Sequence, residues 1–305
     1  MNLFERGLKT LELQSKKWSI DDPRIGIVTA GDKNVFRGIQ SLFASIKNKI
    51  NFLCYDLGLT AEQIKWCTNN NLPLKPMSSL SEFLKIQTEL IKIDKGWFSY
   101  AKPWVIQDSP FEYTVWLDTD CVVVGDLTQA ELIVNKRTFF VEHFCTACDT
   151  NKPYLYECLP VKANLATYPI VNAGVFGIHK KDVQDLVVNK WQYLIDLCIK
   201  NSKLKKTCDF YWDEGMLNWS LQKDNSIELI TNCFLYNWPG NITLQEKLLK
   251  DKANKIPSIF APINFGPSLF FLNLLKNSTD KYIVHFASGE TNIPKYFNCF
   301  SSTNA

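Results

Sequence analysis

The chain has 305 residues, enough to bury a substantial core, and is 46% hydrophobic and 13% aromatic. That composition excludes disorder for the bulk of the chain. Thirty-four basic against 31 acidic residues leave a net charge of +3, and no dense Lys/Arg stripe interleaves with aromatics, which excludes a nucleic-acid partner on electrostatic grounds.

In chain order, short apolar runs alternate with amphipathic stretches. The pattern predicts a strand at Ile25–Thr29, a helix at Val35–Ile46, a strand at Ile50–Tyr55, and helices at Ala61–Asn69 and Ser81–Ile91. Strands follow at Tyr113–Leu117, Cys121–Val124, Thr138–Val141 and Ile170–Ile178. Helical spacing returns at Asp182–Ile199 and Asp213–Leu221, with late strands at Ile227–Thr231 and Tyr282–Phe286. Several strands are continuous Val/Ile/Phe runs, the pattern of strands covered on both faces. This order reads as α/β: a mostly parallel central sheet flanked by helices, with an irregular C-terminal segment. No linker interrupts it, so residues 1–305 are expected to form one domain, with a nucleotide-binding half over about 20–130 and an acceptor-side half over about 131–305.

Ten cysteines do not make a disulfide framework, because Cys54, Cys121 and Cys233 sit inside apolar runs where a thiol behaves as a small hydrophobe. With no apolar leader core in Met1–Thr10, a reducing, cytoplasmic setting is expected, and the sequons at Asn218, Asn241 and Asn277 then carry no glycan. Cys145 and Cys148 have zinc-like spacing but no second pair at zinc distance. Ile259–Leu275 is broken by Pro262, Asn264, Pro267 and Asn273, so it is read as a segment that packs on the domain or touches a membrane surface, without spanning it.

In an open α/β sheet, ligands collect beyond the carboxyl ends of the strands. There the run ending at Leu117 meets Asp118-Thr-Asp120, and two such carboxylates need a cation or a set of donors. On an extended chain both point to one side, where their hard oxygens suit Mg²⁺ or Mn²⁺ beside a diphosphate. His285, at the end of a late strand, is a candidate third ligand; His143 and His179 lack a comparable setting.

This constellation resembles the GT-A-fold glycosyltransferases, most closely family 8, the glycogenin and bacterial galactosyltransferase type. The resemblance spans nearly the whole chain: Ile25–Thr29 with Asp32, Tyr100-Ala-Lys102, Asp118-x-Asp120, Asn172-Ala-Gly174, Asp213-Glu-Gly-Met-Leu-Asn218, Leu235-Tyr-Asn237 and His285 follow one another in the family's order. It implies a metal (Mn²⁺ or Mg²⁺) held by Asp118, Asp120 and His285. It implies donor contacts from Thr29, Ala30, Asp32, Lys102, Asp118, Asn172, Ala173 and Gly174, and catalytic carboxylates at Asp213 and Glu214. The implied reaction moves a sugar, with retention, from a UDP-sugar to a glycan, protein or lipid-linked acceptor. Two departures stand out. Glu214 replaces the family's Gln, as in the Asp-Glu stretch of family 6, and the family's closing His-x-x-Gly-x-x-Lys is stretched to His285, Gly289 and Lys295. A sugar nucleotidyltransferase of the same fold would need a Gly-rich basic turn where this chain has only Ala30-Gly-Asp-Lys33. A non-catalytic sugar- or nucleotide-binding protein would have no need of the full metal set.

Overall fold

The computed structural model describes residues 19–93, 97–123, 126–134, 136–142, 171–200, 212–221, 228–230, 238–239 and 283–285. Strand β1 (Ile25–Gly31) leads through a turn into helix α1 (Phe36–Ile46), which buries Phe36, Ile39, Leu42, Phe43 and Ile46 at helical spacing against the sheet. Strand β2 (Asn51–Asp56) is followed by α2 (Ala61–Asn69), whose start is fixed by a capping box between Thr60 and Gln63. Then come the short strand β3 (Leu74–Pro76), helix α3 (Ser81–Ile93) and helix α4 (Lys102–Asp108), entered from a 3₁₀ turn at Trp97–Ala101. Pro103 is tolerated in α4 because the first turn has no N–H bond to lose.

The chain continues through β4 (Tyr113–Leu117), β5 (Cys121–Val123), α5 (Glu131–Val134) and β6 (Phe139–Glu142). Strand β7 (Val171–His179) runs into α6 (Lys180–Asp182), a π-helical stretch at Val183–Gln192 and α7 (Tyr193–Lys200). Helix α8 (Trp212–Leu221) and strands β8 (Glu228–Ile230), β9 (Trp238–Pro239) and β10 (Ile283–His285) complete the described elements.

Among the described residues, seven strands form one sheet in the order β3-β2-β1-β4-β7-β6-β8. All run parallel except β7, which is antiparallel to both its neighbours. The expectation of a mostly parallel α/β sheet therefore holds, and the predicted strands lie within two residues of the observed ones. Two cores cover the two faces. Ile25, Ile27, Tyr113, Val115 and Leu117 face α1, while Val28, Trp116, Phe140 and Phe176 face α4, the π-helical stretch and α8.

Besides the short elements β3, α5 and β9, which the pattern does not predict, three features differ from the sequence expectation. The segment Asp182–Ile199 is one amphipathic run in sequence, but its middle winds as a π-helix. Helix α4 was not predicted, since seven residues beginning Lys-Pro carry little periodic signal. And β7 is not a straight strand. Phe140 pairs with Phe176 and Glu142 with Val171, so two steps on β6 span five on β7, and the chain bulges over Asn172–Val175. The Cys145 and Cys148 pair and the segment 259–275, read in the sequence as packing on the domain or touching a membrane surface, lie outside the described residues. Among the described residues no helix is long and apolar enough to cross a membrane. The four described cysteines, Cys54, Cys67, Cys121 and Cys198, are free thiols.

Candidate active site

The reversed strand explains how the site assembles. Because β7 runs against β4, its beginning lies beside β4's end: Leu117 pairs with Val175, and the Asp118 N–H donates to the Gly174 carbonyl at 2.9 Å. The bulge thus brings Asn172, Ala173 and Gly174 to the carboxylate edge of the sheet. Asn172 Oδ1 accepts from the Gly174 N–H at 2.7 Å and closes the bulge on itself.

Asp118-Thr-Asp120 does not continue as an extended chain. A turn closes through a bond from the Cys121 N–H to the Asp118 carbonyl, 2.9 Å, so the two-residue alternation assumed from sequence is replaced by a tight turn. Helix α1 backs this turn at contact distance. A Cβ on Gly38 would lie 2.2 Å from the Thr119 carbonyl oxygen, so only glycine allows the helix so near. Strand β5 is tied to α1 as well, the Val123 N–H donating to Ser45 Oγ at 3.1 Å.

Lys102, the first residue of α4, is the centre of charge. The resemblance expects it beside the donor, and its side chain is only 7% exposed. Its ammonium lies 2.8 and 3.1 Å from the two oxygens of Asp118 and 2.7 Å from Asp213 Oδ2, and it donates to the Ala173 carbonyl at 3.2 Å. Burial by itself would lower its pKa, but the charges of Asp118 and Asp213 outweigh that and hold it well above the ordinary lysine value. Leaving such an ammonium unpaired in the protein would cost several kcal/mol, roughly, so the two carboxylates are a condition of its burial. Trp116 Nε1 also donates to Asp118 Oδ1, at 2.7 Å.

Asp213 and Glu214, adjacent in sequence, part company in space. Asp213 is committed to Lys102. Glu214 Oε2 faces the bulge instead, 3.4 Å from the Ala173 N–H and 3.5 Å from Asn172 Nδ2, contacts at the outer limit of hydrogen bonding. Asn218, one turn along α8, anchors the helix. Its amide pairs with both the N–H and the C=O of Val171, at 2.8 and 2.9 Å, and donates to the Glu214 carbonyl at 2.8 Å. This sequon asparagine is buried and fully engaged in that contact.

At the other end of the edge, both Asp32 oxygens are engaged by Asn34, through its N–H at 2.9 Å and its side-chain amide at 2.8 Å. Thr29 is completely buried, and its Oγ1 has no hydrogen-bond partner among the described residues. Ala30 is partly exposed in the same strand.

Asp118 and Asp120 supply hard carboxylate oxygens, the donors that Mn²⁺ and Mg²⁺ prefer. Among the described residues no third His, Cys, Asp or Glu joins them in a metal-binding group. The second sheet, β5-β10-β9, pairs His285 with Cys121, so the backbone of the expected third ligand stands opposite the residue that follows Asp120. Its side chain lies outside the described residues. The buried Cys121 thiol is pushed well above its ordinary pKa, first by burial and then by Asp120 and Asp118, so it is no thiolate at neutral pH. The carboxylate oxygens of Asp118 and Asp120 are of a chemistry that fits a divalent cation.

No protein-family model matches the chain, and no curated protein sequence is similar to it. Solved structures do match. The galactosyltransferase LgtC in complex with donor and acceptor sugar analogues is 13% identical, covers 92% of this chain and 97% of its own, and superposes with a TM-score of 0.52. An active-site Gln→Glu mutant of LgtC gives 14% identity, the same coverage and 0.53. The fold is that of the GT-A glycosyltransferases. Mouse xyloside xylosyltransferase 1 in its apo form shares it at 8% identity, over 87% of this chain and 97% of that one, with a TM-score of 0.50. At these identities the likeness is one of fold. Within the GT-A fold of this chain, the sequence-predicted Lys102, Asp118, Ala173, Asp213 and Glu214 converge on one edge. Gly38, the bond from Trp116 to Asp118 and the anchoring contacts of Asn218 came to notice only with the structure.

Proposed function

We propose that the chain is a metal-dependent glycosyltransferase that moves a sugar, with retention, from a nucleoside-diphosphate donor of the UDP-sugar type to a hydroxyl on a glycan or other acceptor. The observation that carries this reading is the convergence of one buried ammonium with the carboxylates of Asp118 and Asp213 beside Glu214 and the Asn172–Gly174 bulge. A binding module has little use for so costly an arrangement of charge.

In this reading Asp118, Asp120 and His285 hold Mn²⁺ or Mg²⁺, which when bound neutralises the diphosphate as it leaves. Lys102 adds a fixed positive charge near the donor, kept in place by Asp213 and by the Ala173 carbonyl. The bond between the anomeric carbon and the diphosphate oxygen breaks, and its electron pair departs with the nucleoside diphosphate. Glu214 faces the anomeric carbon from the opposite side. Its carboxylate forms an ester there that the acceptor hydroxyl then displaces, or it stabilises the developing positive charge while the acceptor enters on the departing side. In both versions the acceptor's proton passes to the leaving diphosphate. The LgtC structure with donor and acceptor sugar analogues supports a fold able to seat both.

Thermal melting against UDP, GDP, CMP and ATP, with and without Mn²⁺, tests the reading. A ligand that binds only the folded state at a hundredfold excess over Kd stabilises it by about 2.7 kcal/mol, a shift of a few degrees. The expected result is a shift with UDP that requires Mn²⁺ and disappears in Asp120→Ala. No shift with any nucleotide would overturn it.

A further inference from the structure

Trp116 sits one residue before the end of β4, where its side chain takes the opposite face of the sheet from Val115 and Leu117. It is almost fully buried. Its ring stacks on Phe176 with centroids 6.3 Å apart, and Phe176 in turn stacks on Phe140 at 5.3 Å and meets Trp191 edge-on at 6.1 Å. Core packing of this kind asks only for an aromatic ring; a phenyl group would serve. The indole does two further things. Its N–H donates to Asp118 Oδ1 at 2.7 Å, and its face lies 5.6 Å from the Lys102 ammonium.

These contacts supply what the ion pair lacks. An ammonium is a compact point charge with rotatable donors, so Lys102, bonded to both Asp118 oxygens, holds the carboxylate in place without fixing the orientation of its plane. An indole N–H is a donor only, on a ring locked by packing, and its bond has one direction. We infer that Trp116 is a positioning residue: its indole N–H sets the orientation of the Asp118 carboxylate, and its ring face holds the Lys102 ammonium, so that the cation and diphosphate of a donor meet a preset pair. The link to donor and cation rests on the function proposed above; the positioning of Asp118 does not. Groups that orient a metal ligand in this way are commonly worth ten- to a hundredfold in metal affinity, roughly.

The test uses the full chain as wild type, as Trp116→Phe, with 3-benzothienylalanine at position 116, and as Phe176→Leu. The benzothienyl isostere replaces the N–H by sulfur while keeping the size of the ring, so it decides the matter if Trp116→Phe fails to fold. Phe176→Leu disturbs the same stack without touching Asp118. Mn²⁺ binding is measured with UDP present, and the indole N–H resonance of Trp116 is recorded by NMR, identified by its loss in Trp116→Phe. The inference expects Mn²⁺ affinity to fall about tenfold in both position-116 variants, to fall less in Phe176→Leu, which keeps the N–H, and the resonance to move in Asp118→Asn. Unchanged affinity in the isostere overturns the role toward the cation. A resonance indifferent to Asp118→Asn overturns the positioning itself. Failure of the wild type to bind Mn²⁺ with UDP would sink the functional proposal, and the NMR arm would still decide whether Trp116 orients Asp118.

Discussion

Asp213 and Glu214 show how much one residue's setting changes what a carboxylate can do. Both are acidic, both open α8, and a helix N-terminus favours both. Only the structure separates them: Asp213 is spent on the Lys102 ammonium, whereas Glu214 makes two long contacts with the Asn172–Ala173 bulge. Long hydrogen bonds at a reacting group are common before substrate arrives. Glu214→Gln keeps the shape and those contacts but removes the charge. Transfer is expected to fall on the order of a hundredfold without vanishing, while Mn²⁺–UDP affinity stays unchanged. Steady-state kinetics beside a binding titration checks it, and an unaffected rate would remove Glu214 from the reacting carbon. The sequence made Asp118 and Asp120 legible because paired carboxylates between two apolar runs demand an explanation. It could not show that Lys102 is buried, because its partner carboxylates come from distant segments.

At the scale of elements, the site depends on how closely α1 approaches the Asp118–Asp120 turn. The distance is set at Gly38, where a methyl group would collide with the Thr119 carbonyl. Gly38→Ala is therefore expected to cost about 1–3 kcal/mol from overpacking and to abolish Mn²⁺–UDP binding by displacing the turn. Gly215, inside α8, is the contrast: a Cβ there meets nothing within 4 Å. Gly215→Ala should stabilise the protein by about 0.5–1 kcal/mol through helix propensity. Denaturant melts of both variants, with a metal titration of the first, test the pair; equal effects would refute the close-approach argument. Most strands were readable because buried strands are continuous apolar runs. The bulge in β7 was not: Asn172 and Gly174 interrupt the apolar run Ile170–Ile178, but only its pairing with β6 shows three extra residues there.

At the scale of the whole molecule, the α/β class followed from the alternation of elements, but strand order did not. Nothing in the local pattern of β7 says that it runs backwards between two strands of the other sense. The free thiols give the molecule an alkaline limit. Burial, with a smaller contribution from Asp56, pushes Cys67 up to about 11 from 9.0, and Cys54 is raised well above its ordinary value by burial. These groups are held neutral in the folded chain and ionise more readily once unfolded. Their contribution to stability is whole below about pH 9 and drains away as pH rises toward 11 and beyond. The melting temperature is expected to fall over that window, less steeply in Cys67→Ala. A flat profile from pH 9 to 11 would contradict it.

The antiparallel strand also decides when the site can exist. Helix α1 and strands β1 and β2 meet through near neighbours in sequence, whereas the Lys102 bond to Ala173 closes a separation of 71 residues. Such contacts carry a larger loop-closure cost than local ones and are rewarded later during folding. A chain with β1 to β4 paired but β7 undocked would own its Asp118 turn and still have no carbonyl, no bulge and no α8 carboxylate around Lys102. Competence at this edge is therefore a property of the completed topology.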